Sequence, residues 1–281
     1  MSATLTLPIS RNGVARHPAL AETPAVSVLD LSLWMKDRPI LRKVSLDVAA
    51  RTVVGVVGPS GSGKTSFLRC LNRLHDLVAG SRVEGRVMVG GIDVYAPRVE
   101  VPELRRRIGM VFQKPIVFPA SIEANVLFGV RALRVIPAND WDELVARNLR
   151  RVGLWDEVKD RLRHPATSLS LGQQQRLCMA RSLAVSPELI LMDEPTSSLD
   201  PKSTAGVEEL IRDLRRDYTI VLVSHALDQV RRVADEVVLL CDGVMIEQAP
   251  RQRFFHDPER AETRNFLQWH TCGCHHGEDA T

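Results

Sequence analysis

Short apolar runs recur along this chain and indicate buried strands. Three of them are continuous and consist mainly of β-branched or aliphatic residues: 53–57, 189–192 and 219–223. Continuous runs of this length are typical of parallel strands that helices cover on both faces. Between the second and third runs, four apolar residues fall on one face of a predicted helix: Val207, Leu210, Ile211 and Leu214. Asp200 as its N-cap and Pro201 at its first position indicate where this helix begins.

Alternation of apolar and polar residues predicts further strands around this core. Residues 26–34 and 40–48 come before the first run, and we expect them to form an antiparallel layer beside it. Two glycine-containing turns separate further pairs of strands and predict hairpins: 83–89 with 92–95, and 237–241 with 244–246.

The segment from 114 to about 180 has a different pattern. Proline residues interrupt helical segments there, and five apolar residues recur at helical spacing: Trp141, Leu144, Val145, Leu149 and Val152. This pattern predicts an α-helical subdomain inserted into an α/β core after a short strand at 108–112. Residues 1–24 lack sustained periodicity, so we expect a disordered tail. Residues 256–281 are predicted to form a C-terminal extension that ends in cysteine and histidine residues.

Composition and charge narrow the classes of function. Charged residues make up 25% and apolar residues 44% of the 281 residues, as in an ordinary globular protein. A net charge of +3 is too small to indicate nucleic-acid binding. No apolar run approaches the roughly 18 residues that cross a bilayer, and we expect no signal peptide. Three of the cysteines have apolar neighbours, so we expect buried free thiols in a reducing cytoplasm: Cys70, Cys178 and Cys241.

A glycine-rich segment follows the first apolar run and precedes a helix predicted at 66–71. Its sequence is Gly58-Pro59-Ser60-Gly61-Ser62-Gly63-Lys64-Thr65. A strand, a glycine-rich loop and a helix in this order are the setting of a phosphate-binding loop, whose backbone N–H groups surround the phosphates. Lys64 adds a positive charge, and the Thr65 hydroxyl is a ligand for Mg²⁺. The alternative is a turn that binds nothing, but the register of the glycines, the lysine and the threonine favours a nucleotide site.

Two carboxylates, Asp193 and Glu194, follow the second apolar run directly. A carboxylate at the carboxyl end of a strand, beside a phosphate loop, can hold Mg²⁺ through water. A second carboxylate next to it can polarise the attacking water. Acidic turns are common after strands, so this pair indicates a catalytic site only in combination with the loop.

Ser170 and Gln173 precede another helical pattern and have the spacing of a helix-capping box. The capping box is a purely structural explanation of both residues. A helix N-terminus with free N–H groups also binds anions. The two interpretations are compatible, and the helix by itself does not decide between them.

Six segments stand in the order found in the ATPase subunit of an ABC transporter, which this chain resembles over about residues 26–255. They resemble the Walker A, Q-loop, signature, Walker B, D-loop and H-loop motifs in turn: 58–65, Gln113, 169–173, 191–195, 198–200 and His225. Four further segments are similar to those of phosphate-importer (Pst-type) ATPases: 71–74, 82–85, 112–115 and 173–178. The loop at 114–119, which faces the membrane partner in that family, departs from the narrower pattern.

The resemblance implies a P-loop NTPase (RecA-like) core with an antiparallel β layer and an inserted α-helical subdomain. The nucleotide-binding domain would span residues 25–255, with the helical subdomain at about 114–180. The resemblance also implies ATP and Mg²⁺ as cofactors, and two subunits that sandwich two ATP molecules. Each ATP would lie on the glycine-rich loop and Ser66 of one subunit. The other subunit would close the site with four residues of its signature and D-loop: Ser170, Gly172, Gln173 and Asp200.

The resemblance assigns catalytic roles to three residues. Glu194 would be the general base, and His225 would contact the γ-phosphate. Gln113 would reach Mg²⁺ or the attacking water and relay the nucleotide state to the transmembrane partner. The implied Mg²⁺ ligands are Thr65, Gln113 and Asp193. Taken singly, His225 is better explained as a residue at a helix start and Gln113 as a polar strand end. The order of the motifs favours the catalytic interpretation instead.

Two positions depart from the family pattern. Leu171 replaces the first glycine of the signature, and Met35 aligns with the aromatic residue that stacks on adenine. We assign the adjacent Trp34 to the adenine site; the alternative makes it a strand residue that faces the core. The segment Cys272-Gly273-Cys274-His275-His276 has enough ligands for a metal. Ligands so close together at a terminus seldom form a closed tetrahedral site, so we expect no functional metal there.

The resemblance implies a peripheral ATPase at the cytoplasmic face of the inner (plasma) membrane. It would form a homodimer, drive an integral membrane permease and serve a solute-binding protein indirectly, without a nucleic-acid partner. The narrower similarity favours inorganic phosphate as the solute. The alternatives are an importer of another oxyanion or polar solute, a soluble ABC ATPase acting on nucleic acid or ribosomes, and a module without turnover. The chain has one nucleotide core and no coiled-coil insertion, which disfavours the soluble ABC ATPase. The presence of both Glu194 and His225 disfavours the module without turnover.

Overall fold

A computed structural model describes residues 24–134 and 136–272 of the protein. It shows a fold built around two β-sheets. The smaller sheet is antiparallel and has the strand order β2-β1-β4-β5: β1 (Val26–Met35), β2 (Arg38–Val48), β4 (Ser81–Val89) and β5 (Ile92–Asp93). It is the antiparallel layer that the alternating pattern predicts. Strand β5 is shorter than predicted, because the chain turns at Val94 and Tyr95. The hydroxyl of Tyr95 donates to the backbone oxygen of Cys70.

The larger sheet has six strands in the order β10-β9-β3-β8-β7-β6. Its strands are β3 (Val53–Val57), β6 (Ile108–Val111), β7 (Leu189–Asp193), β8 (Thr219–Val223), β9 (Glu236–Cys241) and β10 (Val244–Pro250). All neighbours in it are parallel except β9 and β10, which form the hairpin predicted around Asp242-Gly243. The order places the carboxyl ends of β6, β7, β8 and β3 side by side at one edge, where polar side chains from distant parts of the chain can meet.

Strand β3 shows why its run of residues is apolar throughout. Val53 and Val57 pack in the cluster that lies under the helices, whereas Val54 and Val56 pack in the cluster shared with the antiparallel sheet. Both faces of the strand are therefore buried, and neither tolerates a polar side chain without a partner.

The helices cover both faces of the larger sheet. In chain order they are α1 (Lys64–Leu71), α2 (Val101–Arg107), α3 (Ile122–Leu133), α4 (Trp141–Arg151), α5 (Trp155–Val158), α6 (Leu171–Leu183), α7 (Pro201–Leu214), α8 (Leu227–Val233), α9 (Arg251–His256) and α10 (Ala261–Trp269). Four of them, α3 to α6, lie between β6 and β7. Their apolar side chains share one continuous cluster with β7 and β8, so this helical region is packed onto the sheet by ordinary core contacts.

The prediction that Cys241 is a free thiol is wrong. Cys241, at the end of β9, forms a disulfide with Cys272, which follows α10. The C-terminal extension folds back onto the core through Phe266 and brings these two cysteines together across 31 residues of sequence. Cys70 and Cys178 are buried and free, as expected. Because Cys272 is a disulfide partner, it is not a metal ligand here; the rest of the proposed ligand segment lies outside the described residues, as do residues 1–23 of the expected tail.

None of the described helices combines the length and the apolar character that a membrane span requires.

Candidate functional site

The glycine-rich loop joins β3 to α1 and has a conformation that depends on glycine. Gly58 and Gly63 have φ angles of 149° and 97°, which L-residues rarely adopt. A Cβ atom on Gly58 would lie 1.9 Å from the backbone oxygen of Leu240, and one on Gly63 would lie 2.8 Å from Cδ2 of Leu41. The loop is thus held tightly between β9 and the antiparallel sheet. Gly63 is the N-cap of α1 and supplies no side-chain cap, so the first N–H groups of the helix remain available to a bound anion.

Lys64 lies across this loop. Its Nζ donates to the backbone oxygens of Gly58 and Pro59, at 2.9 and 2.7 Å. The side chain is buried, and burial lowers the pKa of Lys64, although the carboxylates of Glu194 and Asp193 oppose that shift. The ammonium group is therefore held inside the loop, next to the acidic edge of the sheet, where it can reach a phosphate that the loop encloses.

Thr65 and Asp193 meet as the sequence predicts. The Thr65 hydroxyl, in the first turn of α1, donates to Oδ1 of Asp193 at 2.8 Å. Burial raises the pKa of Asp193, and the negative charge of Glu194 raises that pKa further. The hydrogen bond from Thr65 opposes the rise. A hydroxyl and a carboxylate oxygen at this separation, beside a phosphate loop, are the ligand types that Mg²⁺ prefers, so the residues present fit that ion.

Two polar side chains converge on the carboxylate of Glu194. Oε2 of Glu194 lies 3.0 Å from Nδ1 of His225 and accepts a hydrogen bond from Nε2 of Gln113 at 2.9 Å. Gln113 follows β6, Glu194 follows β7 and His225 follows β8, which are neighbouring parallel strands. The structure thus brings together the three residues expected to be catalytic, and it places them beside Asp193.

The N-terminus of α6 is capped as predicted. Ser170 accepts from the Gln173 N–H and Gln173 reaches back to the Ser170 N–H, which completes the capping box. A Cβ atom on Gly172 would lie 2.6 Å from Oγ of Ser203, so glycine is required where α6 approaches α7. Asp200 caps α7 and accepts from the Ser203 hydroxyl at 2.5 Å. Gly172 and Asp200 therefore both adjoin Ser203, and both have a local structural role.

The signature residues and the glycine-rich loop are not joined within this chain. Among the described residues, Ser170 and Gln173 form hydrogen bonds to each other and within the neighbouring helices, and none of their bonds reaches the loop at 58–65. Leu171, the first residue of α6, is 42% exposed. The capped end of α6 is thus a surface that a second molecule can contact.

Trp34 is half-buried on β1 of the antiparallel sheet. It lies opposite Arg82 in the β1–β4 pair, and the Arg82 guanidinium stacks 4.1 Å from the centre of its ring. Met35, the next residue along β1, packs instead against the cluster that contains Leu41, the residue whose side chain contacts Gly63. Contact of Trp34 with adenine stays a prediction, with Met35 as the alternative.

Sequence reasoning missed Glu157 of α5. Its carboxylate accepts from Nε2 of Gln173 and from Nη1 of Arg176, both at 2.7 Å, and so fixes the N-terminus of α6 to α5. Burial opposes ionisation, but the hydrogen bonds from Arg176 and Gln173 outweigh it and lower the pKa of Glu157. No periodicity or motif marks this residue, because its partners lie 16 and 19 residues away in another helix.

These groups together are suited to nucleotide hydrolysis. The loop and Lys64 offer backbone and ammonium donors to phosphate oxygens, and Thr65 with Asp193 offers oxygen ligands to a divalent cation. Glu194 can accept a proton, and two neighbouring side chains keep its carboxylate in one orientation.

Comparisons with known proteins agree with this chemistry. The family model described as ABC transporter matches residues 41–197. A protein called "Phosphate import ATP-binding protein PstB" from Bacteroides thetaiotaomicron is 45% identical over 246 residues, which cover 88% of this chain and 98% of that protein. A protein of the same name from Salinibacter ruber is 46% identical over 244 residues, which cover 87% of this chain and 97% of that protein.

Proposed function

The chain belongs to the ABC transporter family, and from this premise we propose that it is the ATP-hydrolysing subunit of an importer of inorganic phosphate. The convergence of Gln113, Glu194 and His225 beside the phosphate loop supports the hydrolytic activity. The support for phosphate as the solute comes from two relatives that align over nearly their whole length and are named for phosphate import.

In this proposal the loop and Ser66 bind the ATP phosphates. The N–H groups at the start of α1 surround the β- and γ-phosphates, and Lys64 exchanges its bonds to the carbonyls of Gly58 and Pro59 for bonds to phosphate oxygens. Thr65 and Asp193, with Gln113, would hold Mg²⁺, which neutralises charge on the phosphates when bound.

Glu194 is the proposed general base. Its carboxylate would take a proton from the attacking water, whose oxygen would bond to the γ-phosphorus as the bond from that phosphorus to the β–γ bridging oxygen breaks and ADP leaves. His225, 3.0 Å from Glu194, would orient that carboxylate and contact the γ-phosphate. Gln113 bonds to the same carboxylate and lies at the start of the helical region, so it is placed to report the state of the site to those helices.

We further propose that two copies of the chain complete each other's sites. Ser170, Gly172 and Gln173 would meet the nucleotide on the partner's loop, and Asp200 would lie at the same interface. This assignment is supported by the exposed, capped end of α6, whose bonds do not reach the loop of its own subunit.

The proposed domain organisation is a nucleotide-binding domain at 25–255, with its helical subdomain at about 114–180, followed by a C-terminal extension at 256–281. The helical subdomain would contact an integral permease, which places the protein at the cytoplasmic face of the membrane and links it only indirectly to a solute-binding protein. Two exposed apolar side chains support this contact: Ile116 and Phe128 are 54% and 52% exposed.

Uptake of labelled phosphate tests the proposal. In cells that lack this chain, the wild type should restore phosphate uptake and Lys64→Ala should not, because the ammonium group on the phosphates is lost. Lys159→Ala, at an exposed lysine, is the matched control and should restore uptake. Restoration of sulfate uptake, with phosphate uptake unaffected by the deletion, would assign the chain to an importer of a different oxyanion.

A further inference from the structure

The turn that carries Glu194 has an unfavourable backbone conformation. Glu194 has a φ of 47°, in the left-handed region that residues other than glycine seldom occupy. Such a conformation persists only where the surrounding structure holds it. The Glu194 N–H donates to the Val223 oxygen, and the Ser197 N–H and hydroxyl donate to the Glu194 oxygen. These bonds fix the backbone at the start of the turn, but they do not link it to the element that follows His225.

A buried side-chain hydrogen bond makes that link. Nε2 of Gln229 donates to Oγ1 of Thr196 at 2.7 Å, and the two residues are 1% and 9% exposed. Thr196 lies two residues after Glu194, and Gln229 lies in α8, which begins two residues after His225. The Gln229–Thr196 bond therefore connects the two segments on which the proposed base and the proposed phosphate-contacting histidine stand.

Helix α8 is itself anchored to α7. Arg232 donates from Nε and Nη2 to the two carboxylate oxygens of Glu208, at 2.7 and 2.8 Å, and Glu208 is buried. Gln229 and Arg232 lie three residues apart and so project from one side of α8. Because the ion pair connects α8 to α7, it helps to hold the amide of Gln229 in position for its hydrogen bond to Thr196.

The space beside this bond is not filled by packed side chains. A cavity of about 210 Å³ has Glu194 and His225 among its lining residues, together with Thr196, Gln229, Glu208 and Arg232. On the side of α8 that borders the cavity, side-chain packing therefore does not join the helix to the turn. A hydrogen bond across the border of the cavity supplies that connection.

Gln229 also carries a feature that is unfavourable for stability. Its Oε1 is buried and has no hydrogen-bond partner among the described residues. An apolar residue of similar size would remove this unpaired acceptor, but it would also leave the buried Thr196 hydroxyl without its donor. Within the described residues, the amide of Gln229 therefore acts through its bond to Thr196, which connects α8 to the Glu194 turn.

We propose that Gln229 is a positioning residue for ATP hydrolysis, which holds the Glu194 turn in register with His225 through Thr196. The inference rests on the proposed function, because the register concerns the reaction that Glu194 and His225 would perform. Gln229 does not contact the nucleotide in this proposal; it acts through the turn.

Kinetics of two near-isosteric variants test the inference. Gln229→Leu and Thr196→Val each remove the bond, and each should lower kcat by about ten- to a hundredfold, the scale of a small misplacement of catalytic groups. The KM for ATP should change less than about twofold. The thermal midpoint of Gln229→Leu should change little, because the unpaired acceptor is removed while the Thr196 hydroxyl loses its donor. The double variant should be no slower than the slower single variant, and Thr196→Ser, which keeps the hydroxyl, should keep most of the wild-type kcat.

Two matched variants control for loss of a buried hydroxyl and of a glutamine. Thr219→Val, at the other end of β8, removes a hydroxyl that accepts from the Arg51 N–H, and Gln248→Leu, in β10, removes an amide that donates to the Asp47 oxygen. Both should keep the wild-type kcat.

Three outcomes overturn the inference. The first is a kcat within twofold of wild type in both Gln229→Leu and Thr196→Val. The second is a loss of kcat in the double variant that equals the product of the two single losses. The third is a loss of kcat in Gln229→Leu accompanied by a matching fall in its thermal midpoint, because that result assigns the bond to stability. If Gln229→Leu does not fold, the kcat values of Thr196→Val and Thr196→Ser test the inference in its place. Absence of hydrolysis in the wild type itself would instead reject the proposed function, and the inference with it.

Discussion

Nδ1 of His225 lies 3.0 Å from Oε2 of Glu194 and so joins the ends of two neighbouring strands, β8 and β7. Gln113, at the end of β6, donates to the same oxygen from the other side. The carboxylate is thus held between polar side chains from both adjacent strands, and this fixed orientation suits the general base that we propose Glu194 to be.

The carboxylate charge of Glu194 is expected to be essential for turnover. Glu194→Gln keeps the size of the side chain and the acceptor for Gln113, but an amide does not take up a proton. Turnover should fall at least about a hundredfold, the low end for loss of a general base, while ATP binding is retained. Phosphate release and calorimetric ATP titration measure the two effects. Glu209→Gln, at an exposed glutamate of α7, is the control, and near-normal turnover in Glu194→Gln would exclude the base role.

Leu171 is expected to have little influence on turnover. The donors at the start of α6 are backbone N–H groups, which are present whatever the side chain is. Leu171→Gly should therefore change the ATPase rate less than threefold, and it should lower stability slightly because glycine loses more backbone entropy at a helix start. Steady-state rates and urea denaturation measure these effects. A rate increase of tenfold or more would show instead that the exposed leucine obstructs closure of the two subunits.

The exposed apolar residues of the helical region are expected to contact the permease. Ile116 and Phe128 are both more than half exposed, whereas Val117 packs against the core and the Phe118 ring stacks on Phe128. Ile116→Glu and Phe128→Glu should abolish phosphate uptake and leave ATP binding by the isolated subunit unchanged, because a charge at a contact surface would be desolvated.

A third exposed apolar residue serves as the control for these two variants. Leu77, after α1, is 73% exposed, and Leu77→Glu should leave uptake intact. Wild-type uptake in both Ile116→Glu and Phe128→Glu would place the permease contact on another surface.

Stability is expected to fall in mild acid because of His75. Burial lowers the pKa of this histidine; contacts with the Arg69 oxygen and Asp76 oppose the shift, and the charges of Arg73 and Arg105 add to it. The unfolded chain takes up this proton near pH 6.5, and the folded protein only at lower pH. The contribution of the neutral ring to stability is therefore complete above about pH 6.5 and is lost as the pH falls toward the folded pKa.

Urea denaturation across this pH range, with His75→Gln beside the wild type, measures the effect. The variant should lose less stability than the wild type between about pH 7.5 and 5.5. His164→Gln, at an exposed position, controls for loss of a histidine as such. Equal slopes in wild type and His75→Gln would mean that the ring takes up its proton within the fold.

The sequence by itself determined the features that depend on neighbouring residues. The glycine-rich loop is one, because the backbone at Gly58 and Gly63 admits only glycine and the strand and helix on either side have their own apolar patterns. The caps of α6 and α7 are others, since Ser170 and Asp200 bond to residues two or three positions away. The continuous run of β3 likewise predicted a strand buried on both faces. The order of the motifs, through resemblance to a family, added the expectation that Gln113, Glu194 and His225 act together.

Only the tertiary structure decided how distant segments meet. The order of β6, β7 and β8 places Gln113 and His225 on either side of Glu194, and no local periodicity encodes the order of strands in a sheet. The pairing of β1 with β4 sets Trp34 against Arg82, and the return of α10 to β9 pairs Cys241 with Cys272. Each of these contacts depends on which surfaces pack in the assembled core. The physical reason is that the free energy of such contacts belongs to the packed pair, whereas the sequence pattern reports only which face of each segment is apolar.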